Sequence, residues 1–344
     1  MKILAIETSC DETACAIVED GVKELASVVA SSKDFHEKTG GVVPEVASRK
    51  QLEFIFPVLE RTVDDYCSKT GLKNRDEAVK SIDSLAVTTG PGLIGSLVVG
   101  VSVAKTLAMS WDKPLVPVNH LVGHIYANFL ENPNDISFPA VCLLVSGGHT
   151  DLILMKDHGD LVYLGGTLDD AAGESFDKVA RMLGISKYLG GALLSEKAAE
   201  YKSTERAVLF PRPMLDRDNY DFSFSGLKTA VKRHLEKPEE MNINKIAHEF
   251  QEAVVEVLTL KTMKAVSNFG VKTLLVGGGV SANKRLKESL EEACRTEGIS
   301  LHIPPPTLCT DNAVYIASAA YFNYRPKYVR DVKADPSLSI MSEA

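Results

Sequence analysis

The chain has 344 residues and only six cysteines, no two of which stand in a Cys-x-x-Cys pair. Zinc ribbons and thioredoxin-type redox sites are therefore excluded. Cys10, Cys15, Cys67, Cys142, Cys294 and Cys309 lie mostly in apolar stretches and are expected as reduced core residues. No apolar run reads as long enough to span a bilayer. The start, MKILAIETSC, passes from one lysine straight into a strand-like run, without the long apolar stretch and cleavage site of a leader. The expectation is a cytoplasmic protein with no membrane association. Positive charge is also scarce: 38 Lys and Arg against 46 Asp and Glu leave a net charge of −8. That argues against a protein that coats nucleic acid non-specifically. Any RNA contact needs a local patch, either Lys228, Lys232 and Arg233 or Arg325, Lys327, Arg330 and Lys333. A solvated helix face or tail is the simpler reading of each.

What is present is a globular composition, 45% hydrophobic and 24% charged, with length enough for two domains. The chain also repeats itself. ILAIET (3–8) reads as a buried strand, followed by a polar loop at Ser9-Cys10-Asp11-Glu12, a second strand TACAIVE and a turn at Asp20-Gly21. AVCLLV (140–145) opens the same series, with the loop Ser146-Gly147-Gly148-His149, the strand DLILMK and a turn at Gly159. Ile3 to Gly21 and Val141 to Gly159 have the same spacing. In each half a strand–glycine-loop–helix unit follows, at Gly90-Pro91-Gly92 and at Gly277-Gly278-Gly279, with the second offset larger by about fifty residues. An insertion at about 165–235 accounts for the difference.

This pattern predicts an α/β protein with a duplicated actin/hexokinase/Hsp70-like (ASKHA) fold, two domains flanking a nucleotide-binding cleft. The first lobe is expected over 1–133 together with a C-terminal helix at about 312–328, the second over 134–311, and a loose tail over 329–344. Gly-rich hairpin loops in such a fold offer backbone N–H groups to phosphate. Two unrelated α/β domains would alternate similarly, but not at matched spacing.

His120 and His124 stand four apart where a strand end enters a helix, so they share one helical face and suit two imidazole ligands on one metal. Spacing alone leaves metal binding and chance co-occurrence evenly balanced. A zinc-protease reading fails, because the general-base glutamate of His-Glu-x-x-His is absent; Leu121 stands in its place. Asp311, in Cys309-Thr310-Asp311-Asn312 before an apolar helical run, reads equally as a helix N-cap or a third ligand.

Taken together, IETSCDET, GGVVPEVASR, TTGPGLIGSL, HLVGH, LLVSGGHT, DDAAGESFDKVARMLG, FSFSGLKTA, FQEAV, GGGVSAN and CTDN run in order from residue 6 to residue 312. This series resembles the TsaD family of tRNA-modifying transferases, in its bacterial branch. The resemblance implies transfer of a threonylcarbamoyl group from threonylcarbamoyl-AMP to N6 of the adenosine just 3′ of the anticodon, in tRNAs that read codons beginning with A. Carried over by position, it implies His120, His124 and Asp311 as ligands of one divalent metal, Fe(2+) or alternatively Zn(2+). It implies Leu144, Val145, Ser146, Gly147 and Gly148 along the acyl-phosphate region of the adenylate, and Asp177, Gly191 and Asn283 at its ribose and adenine. Asp11 and Glu12 resemble the acidic pair associated with catalysis. A TsaB-like paralogue and a TsaE-like ATPase are the implied protein partners. With a bound metal as Lewis acid, loop N–H groups for developing negative charge and a carboxylate for the amine proton, the residue types suit acyl transfer to a weak nucleophile.

The chain departs from the family in two places. Many bacterial members have glutamate between the two histidines, where this chain has Val122, and the usual Tyr-Pro-Gly-Gly-Pro is replaced by Tyr188-Leu189-Gly190-Gly191-Ala192, with one extra residue before it. Losing both prolines should make that loop less rigid. His149, directly after the second glycine loop, reads as a loop-structuring residue, with a further ligand or phosphate contact as the open alternative. Two other functions compete on the same fold: a small-molecule kinase, which needs no histidine pair, and a non-catalytic nucleotide-binding partner subunit, which would be free to lose the His/His/Asp set.

Overall fold

The computed structural model describes residues 1–130, 133–202, 209–236, 242–342 and 344. Residues 203–208 of the expected insertion, 131–132 beside the expected lobe boundary and 343 of the expected tail lie outside the described residues. The chain divides into two compact units, Met1–Ile136 with Thr310–Ala344, and Ser137–Cys309.

The first unit is built on β1 (Lys2–Glu7), β2 (Glu12–Glu19), β3 (Lys23–Ser31), β4 (Ser84–Gly90) and β5 (Leu115–Asn119), in the order β3-β2-β1-β4-β5. The first three strands form an antiparallel meander, and β4 and β5 run parallel to β1. The second unit has β6 (Ala140–Val145), β7 (Thr150–Asp157), β8 (Asp160–Gly166), β9 (Thr273–Gly277) and β10 (Ser300–His302), ordered β10-β9-β6-β7-β8. Again three strands form a meander and two run parallel to the first of them. The repeat read from strand spacing is thus a repeat of sheet topology. Strands β1, β4, β6 and β9 are buried almost throughout because both faces of a central strand are covered, and β1, β6 and β9 read accordingly as apolar runs.

Helices α1 (Lys33–Thr39), α2 (Pro44–Thr70) and α3 (Arg75–Ser81) connect β3 to β4, and α4 (Ile94–Trp111) connects β4 to β5. Helix α5 (His120–Tyr126) follows β5 directly. In the second unit α6 (Ala172–Met182), α7 (Gly191–Glu200), α8 (Ser225–Leu235) and α9 (Ile243–Phe269) join β8 to β9, so the sequence expected as an insertion contains α6 to α8. Helix α10 (Lys284–Glu297) precedes β10, and α11 (Pro306–Cys309) and α12 (Val314–Phe322) follow it, α12 packing against α5 and β1.

Two expectations are corrected here. Helix α4, with 18 residues and a mean hydropathy of 1.4, is long and apolar enough by length and composition to cross a membrane. Part of its apolar content serves packing on α2 and β4, with Leu97, Val101, Ala104 and Ala108 buried, while Ile94, Val98 and Met109 are exposed. The stretch 329–344, expected as a loose tail, is held to the first unit: Val332, Leu338 and Ile340 are buried, and Asp335 N donates to Thr89 O at 2.7 Å. Its three anchors are spaced 6 and 2 apart, even offsets that fit a strand face, but three apolar residues scattered through a polar stretch broken by Pro336 are too few to show a period.

Leu143, fully buried in the middle of β6, anchors the second core. Leu143→Ala should cost about 2–5 kcal/mol, read as a lower urea midpoint with unchanged far-UV dichroism of the folded state.

Candidate metal centre and glycine loop

The first unit gathers its chemistry at the ends of β1, β4 and β5. Asn119 ends β5 and caps α5, its Oδ1 accepting from Leu121 N at 2.9 Å and Val122 N at 3.4 Å. The cap starts the helix at His120, and the i,i+4 spacing puts His120 and His124 side by side, with ring centroids 4.7 Å apart. Asp311 arrives from the loop before α12. Of the two candidate caps there, Asn312 takes the role, accepting from Val314 N at 2.9 Å and Tyr315 N at 3.3 Å. Asp311 is thereby left to face the histidines.

Nε2 of His120 and Nε2 of His124 lie 3.6 and 3.4 Å from Asp311 Oδ1. These separations are long for hydrogen bonds. The shorter lies at the upper end of the edge of about 3.0–3.4 Å between two ligands that are each about 2.1 Å from a shared ion, and the longer is just beyond it. One donor atom from each residue lies within 4.8 Å of the others. The three residues can therefore hold a metal, and two imidazoles with one carboxylate form a donor set suited to a divalent transition metal.

Charge supports the same reading. Glu7, fully buried at the end of β1, accepts from Ser9 N and Thr88 Oγ1 and sits 3.1 Å from His120 Nδ1. Burial pulls the His120 imidazole down, but the Glu7 and Asp311 carboxylates outweigh it and hold the group up at about 9. Burial keeps His124 below its ordinary value, against the pull of Asp311. Burial would raise Asp311, yet the two histidines hold its carboxyl well below the usual range. The pocket thus favours a positive charge, and a metal ion could supply it in place of a proton. Nδ1 of His124 is buried with no hydrogen-bond partner among the described residues. The Tyr315 hydroxyl lies 3.4 Å from Asp311 Oδ1, a weak donor contact at most.

Asp11 and Glu12, both buried, lie on the β1–β2 hairpin. Burial, then Asp311 and Asp11, push the Glu12 carboxyl up to about 9, while Lys33 Nζ, 2.6 Å from Glu12 Oε1, opposes the shift. Asp11 Oδ2 has no hydrogen-bond partner among the described residues. Gln51 supports the hairpin from α2, its Nε2 lying 3.3, 2.8 and 3.1 Å from the carbonyls of Thr8, Cys10 and Glu12.

In the second unit, Leu144 and Val145 end β6 buried, and Ser146-Gly147-Gly148-His149 forms the turn to β7. Ser146 N donates to His149 O at 2.8 Å and Ser146 Oγ accepts from His149 N at 3.1 Å, so His149 helps close the turn. Gly147 and Gly148 are exposed, and a Cβ on either would meet nothing within 4 Å. Their backbone is open to a ligand. Two glycines shape this loop: Gly278 of the Gly277-Gly278-Gly279 turn, and Gly173, which spacing did not single out. A Cβ on Gly278 (φ +89°) would lie 2.5 Å from Val145 O, and one on Gly173 would lie 2.6 Å from Ser146 O.

Asp177 on α6 accepts from Gly191 N at the start of α7, at 2.8 Å. Burial pushes the Asp177 carboxyl up, and the Gly191 and Gly190 N–H groups pull it back. Asn283 caps α10, accepting from Leu286 N, and its Nδ2 donates to Ser195 Oγ at 2.9 Å and Gln251 Oε1 at 3.1 Å. Asp177, Gly191 and Asn283 are joined through α7, since Ser195 Oγ also donates to Gly191 O at 3.0 Å. Of the residues that sequence reading passed over, Glu7 carried the plainest signal, a carboxylate ending an otherwise apolar strand.

The two basic patches differ. Lys228 is tied to Asp170 at 2.8 Å while Lys232 and Arg233 are exposed; Arg325, Lys327, Arg330 and Lys333 are all exposed.

Residues 23–318 match the model of the family described as tRNA N6-adenosine threonylcarbamoyltransferase, TsaD. Over 327 residues the chain is 47% identical to the tRNA N6-adenosine threonylcarbamoyltransferase of Staphylococcus aureus strain Newman, covering 94% of this chain and 92% of that protein. With the enzyme of the same name from Staphylococcus epidermidis RP62A it is 48% identical, at the same coverage. Among solved structures, HypF of T. kodakarensis aligns at a TM-score of 0.63 and 13% identity, over 94% of this chain and 48% of that one. Component A of the Acidaminococcus fermentans (R)-2-hydroxyglutaryl-CoA dehydratase aligns at 0.53 and 16%, over 94% and 98%. At these identities the structures speak to fold alone, and the fold is actin/hexokinase-like in both sheet topology and likeness.

Leu189, where the resemblance leads one to expect proline, adopts φ +47°. Proline is confined near −65° and cannot take this conformation, so the altered loop follows its own path. Leu189→Gly should relieve left-handed strain and stabilise the chain by up to about 1 kcal/mol, net of the added freedom of the unfolded state. Leu189→Pro should destabilise it. Equal urea midpoints for the three chains would contradict the left-handed backbone.

Proposed function

The chain belongs to the TsaD family of tRNA N6-adenosine threonylcarbamoyltransferases, and from that premise we propose that it transfers the threonylcarbamoyl group of threonylcarbamoyl-AMP to N6 of the adenosine 3′ of the anticodon. The observation that carries the reading at the site is the convergence of His120, His124 and Asp311, one donor atom each within 4.8 Å. Their two-imidazole, one-carboxylate set favours Fe(2+), with Zn(2+) as the alternative. When bound, the ion supplies Lewis-acid polarisation of an acyl oxygen.

The chain's own residues do the rest. Leu144 to Gly148 flank the acyl phosphate, and the open N–H groups of Gly147 and Gly148 offer hydrogen bonds to negative charge. Asp177, Gly191 and Asn283 hold the ribose and adenine side of the adenylate. The adenosine N6 attacks the carbamoyl carbon, a C–N bond forms, the C–O bond to phosphate breaks and AMP departs. Asp11, with Oδ2 unpartnered, takes the proton that N6 loses, and Lys33 and Glu12 keep the hairpin in place through their 2.6 Å pair. Glu7 orients His120 through Nδ1, leaving Nε2 for the metal.

Bases in an anticodon loop are unstacked more cheaply than in a duplex, so an acidic enzyme can reach N6. A net charge of −8 supports a shared RNA surface, with a TsaB-like and a TsaE-like subunit as the partners. Work on tRNA places the enzyme in the cytoplasm. A kinase on this fold would have no use for the His/His/Asp set.

With these partners, labelled threonylcarbamoyl-AMP and unmodified tRNA, the digested product should contain N6-threonylcarbamoyladenosine. His124→Ala and Asp311→Ala should both release the metal and abolish product. Asp11→Asn should keep the metal and slow single-turnover transfer by about 10²–10⁴-fold. Metal retained without product in the unaltered chain would instead support a scaffold.

A further inference from the structure

The C-terminal strap, residues 335–340, touches two parts of the proposed centre that come from distant sequence. It enters at Asp335, whose N–H donates to Thr89 O at 2.7 Å, and passes Gly92, whose N–H donates to Pro336 O at 3.4 Å. It reaches β5 at Ser339, whose carbonyl accepts from Asn119 Nδ2 at 2.8 Å. Leu338 and Ile340 are buried and fix it in place. The approach is close: a Cβ on Gly90 would overlap Asp335 O, and one on Gly92 (φ +157°) would lie 2.4 Å from Ser9 O. Leu93 N donates to Ser9 O at 2.7 Å. The glycine turn is thus held between the strap on one side and the hairpin that carries Asp11 and Glu12 on the other.

Asn119 is the joint on the metal side. Its amide oxygen caps α5 and its amide nitrogen holds the strap, so both ends of one side chain are used. The next residue is His120. Resting on the metal assignment above, we infer that Asn119 is a positioning residue through which the strap fixes the start of α5, and with it the separation of the two histidines from Asp311. Outer partners of metal ligands commonly govern about 10–100-fold in affinity. An amide whose two ends are both engaged can impose such a constraint without touching the ion.

Three variants of the full chain test this by equilibrium competition for Zn(2+) with a chromophoric chelator, which needs no RNA or adenylate. Asn119→Asp keeps an acceptor for the helix cap and removes the donor to Ser339. Its added negative charge would by itself tighten cation binding, so a loss of affinity reports the lost tether. Chains ending at Ala334 keep Val332 and lose the strap. Each change should weaken Zn(2+) binding by about ten-fold, and the two combined should weaken it no further than either alone. Ser339→Ala, which leaves the carbonyl in place, should stay within about two-fold of the parent. Unchanged affinity in Asn119→Asp or in the shortened chain, with only a lower unfolding temperature, would reduce the strap to a stability element and overturn the inference. Multiplicative losses in the double variant would overturn it too, because the strap would then act other than through Asn119. His120→Ala separates this from the underlying assignment: if it leaves Zn(2+) affinity unchanged, the metal site itself is wrong.

Discussion

Glu7 is a charge placed where a charge is expensive, fully buried at the end of an apolar strand. It is kept there by three donors that converge on it: the Ser9 backbone, the Thr88 hydroxyl and the His120 ring. Each comes from a different part of the first unit, β4 and α5 included. Removing any one would leave a carboxylate short of partners in a site closed to water, so the three elements are constrained together. The same carboxylate points Nε2 of His120 towards Asp311. The geometry of the centre is therefore tied to the register of β1 against β4.

The two units show what such a fold keeps constant and what it varies. Both sheets have the same strand order and the same sense of pairing, and both open with a hairpin of matched spacing. Their hairpin loops differ in chemistry. Ser9 to Glu12 carries two buried acids beside a cation-favouring pocket, whereas Ser146 to His149 carries two exposed glycines with open backbone. One scaffold thus presents carboxylates in one unit and N–H groups in the other. Activity on this architecture belongs to such loops and not to the strands beneath them.

Much of this could be read before any coordinates. Matched hairpin spacing gave the repeat, because strand period and turn residues are local properties. The His120/His124 face followed from helical geometry. Asp311 could not be separated from a cap, since Asp and Asn perform that task alike; only Asn312 taking both helix N–H groups decides it. Gly278 stands in a glycine turn that the repeat exposes, whereas Gly173 escaped notice because its constraint is a carbonyl brought in from the turn after β6, distant in sequence. Val332, Leu338 and Ile340 escaped because three scattered anchors in a polar stretch are too few to show a period. The length and hydropathy of α4 describe a core helix as readily as a membrane span, and its packing on α2 and β4 is a tertiary fact.

The two departures from the family fall on different sides of this logic. Val122 stands where the resemblance leads one to expect glutamate, but it is two residues from each histidine, on a different face of α5. Its backbone N–H joins the Asn119 cap, so the difference falls on a half-buried surface and leaves the two histidines alone. Leu189 is a change of backbone. Its left-handed conformation, the tight packing of Gly190 against Ala180, and the Gly191 N–H on Asp177 form one continuous path into α7. A proline there could not take this conformation. The left-handed step at Leu189 thus comes before the helix begins, and it delivers the Gly191 N–H to Asp177, the contact that orders the start of α7.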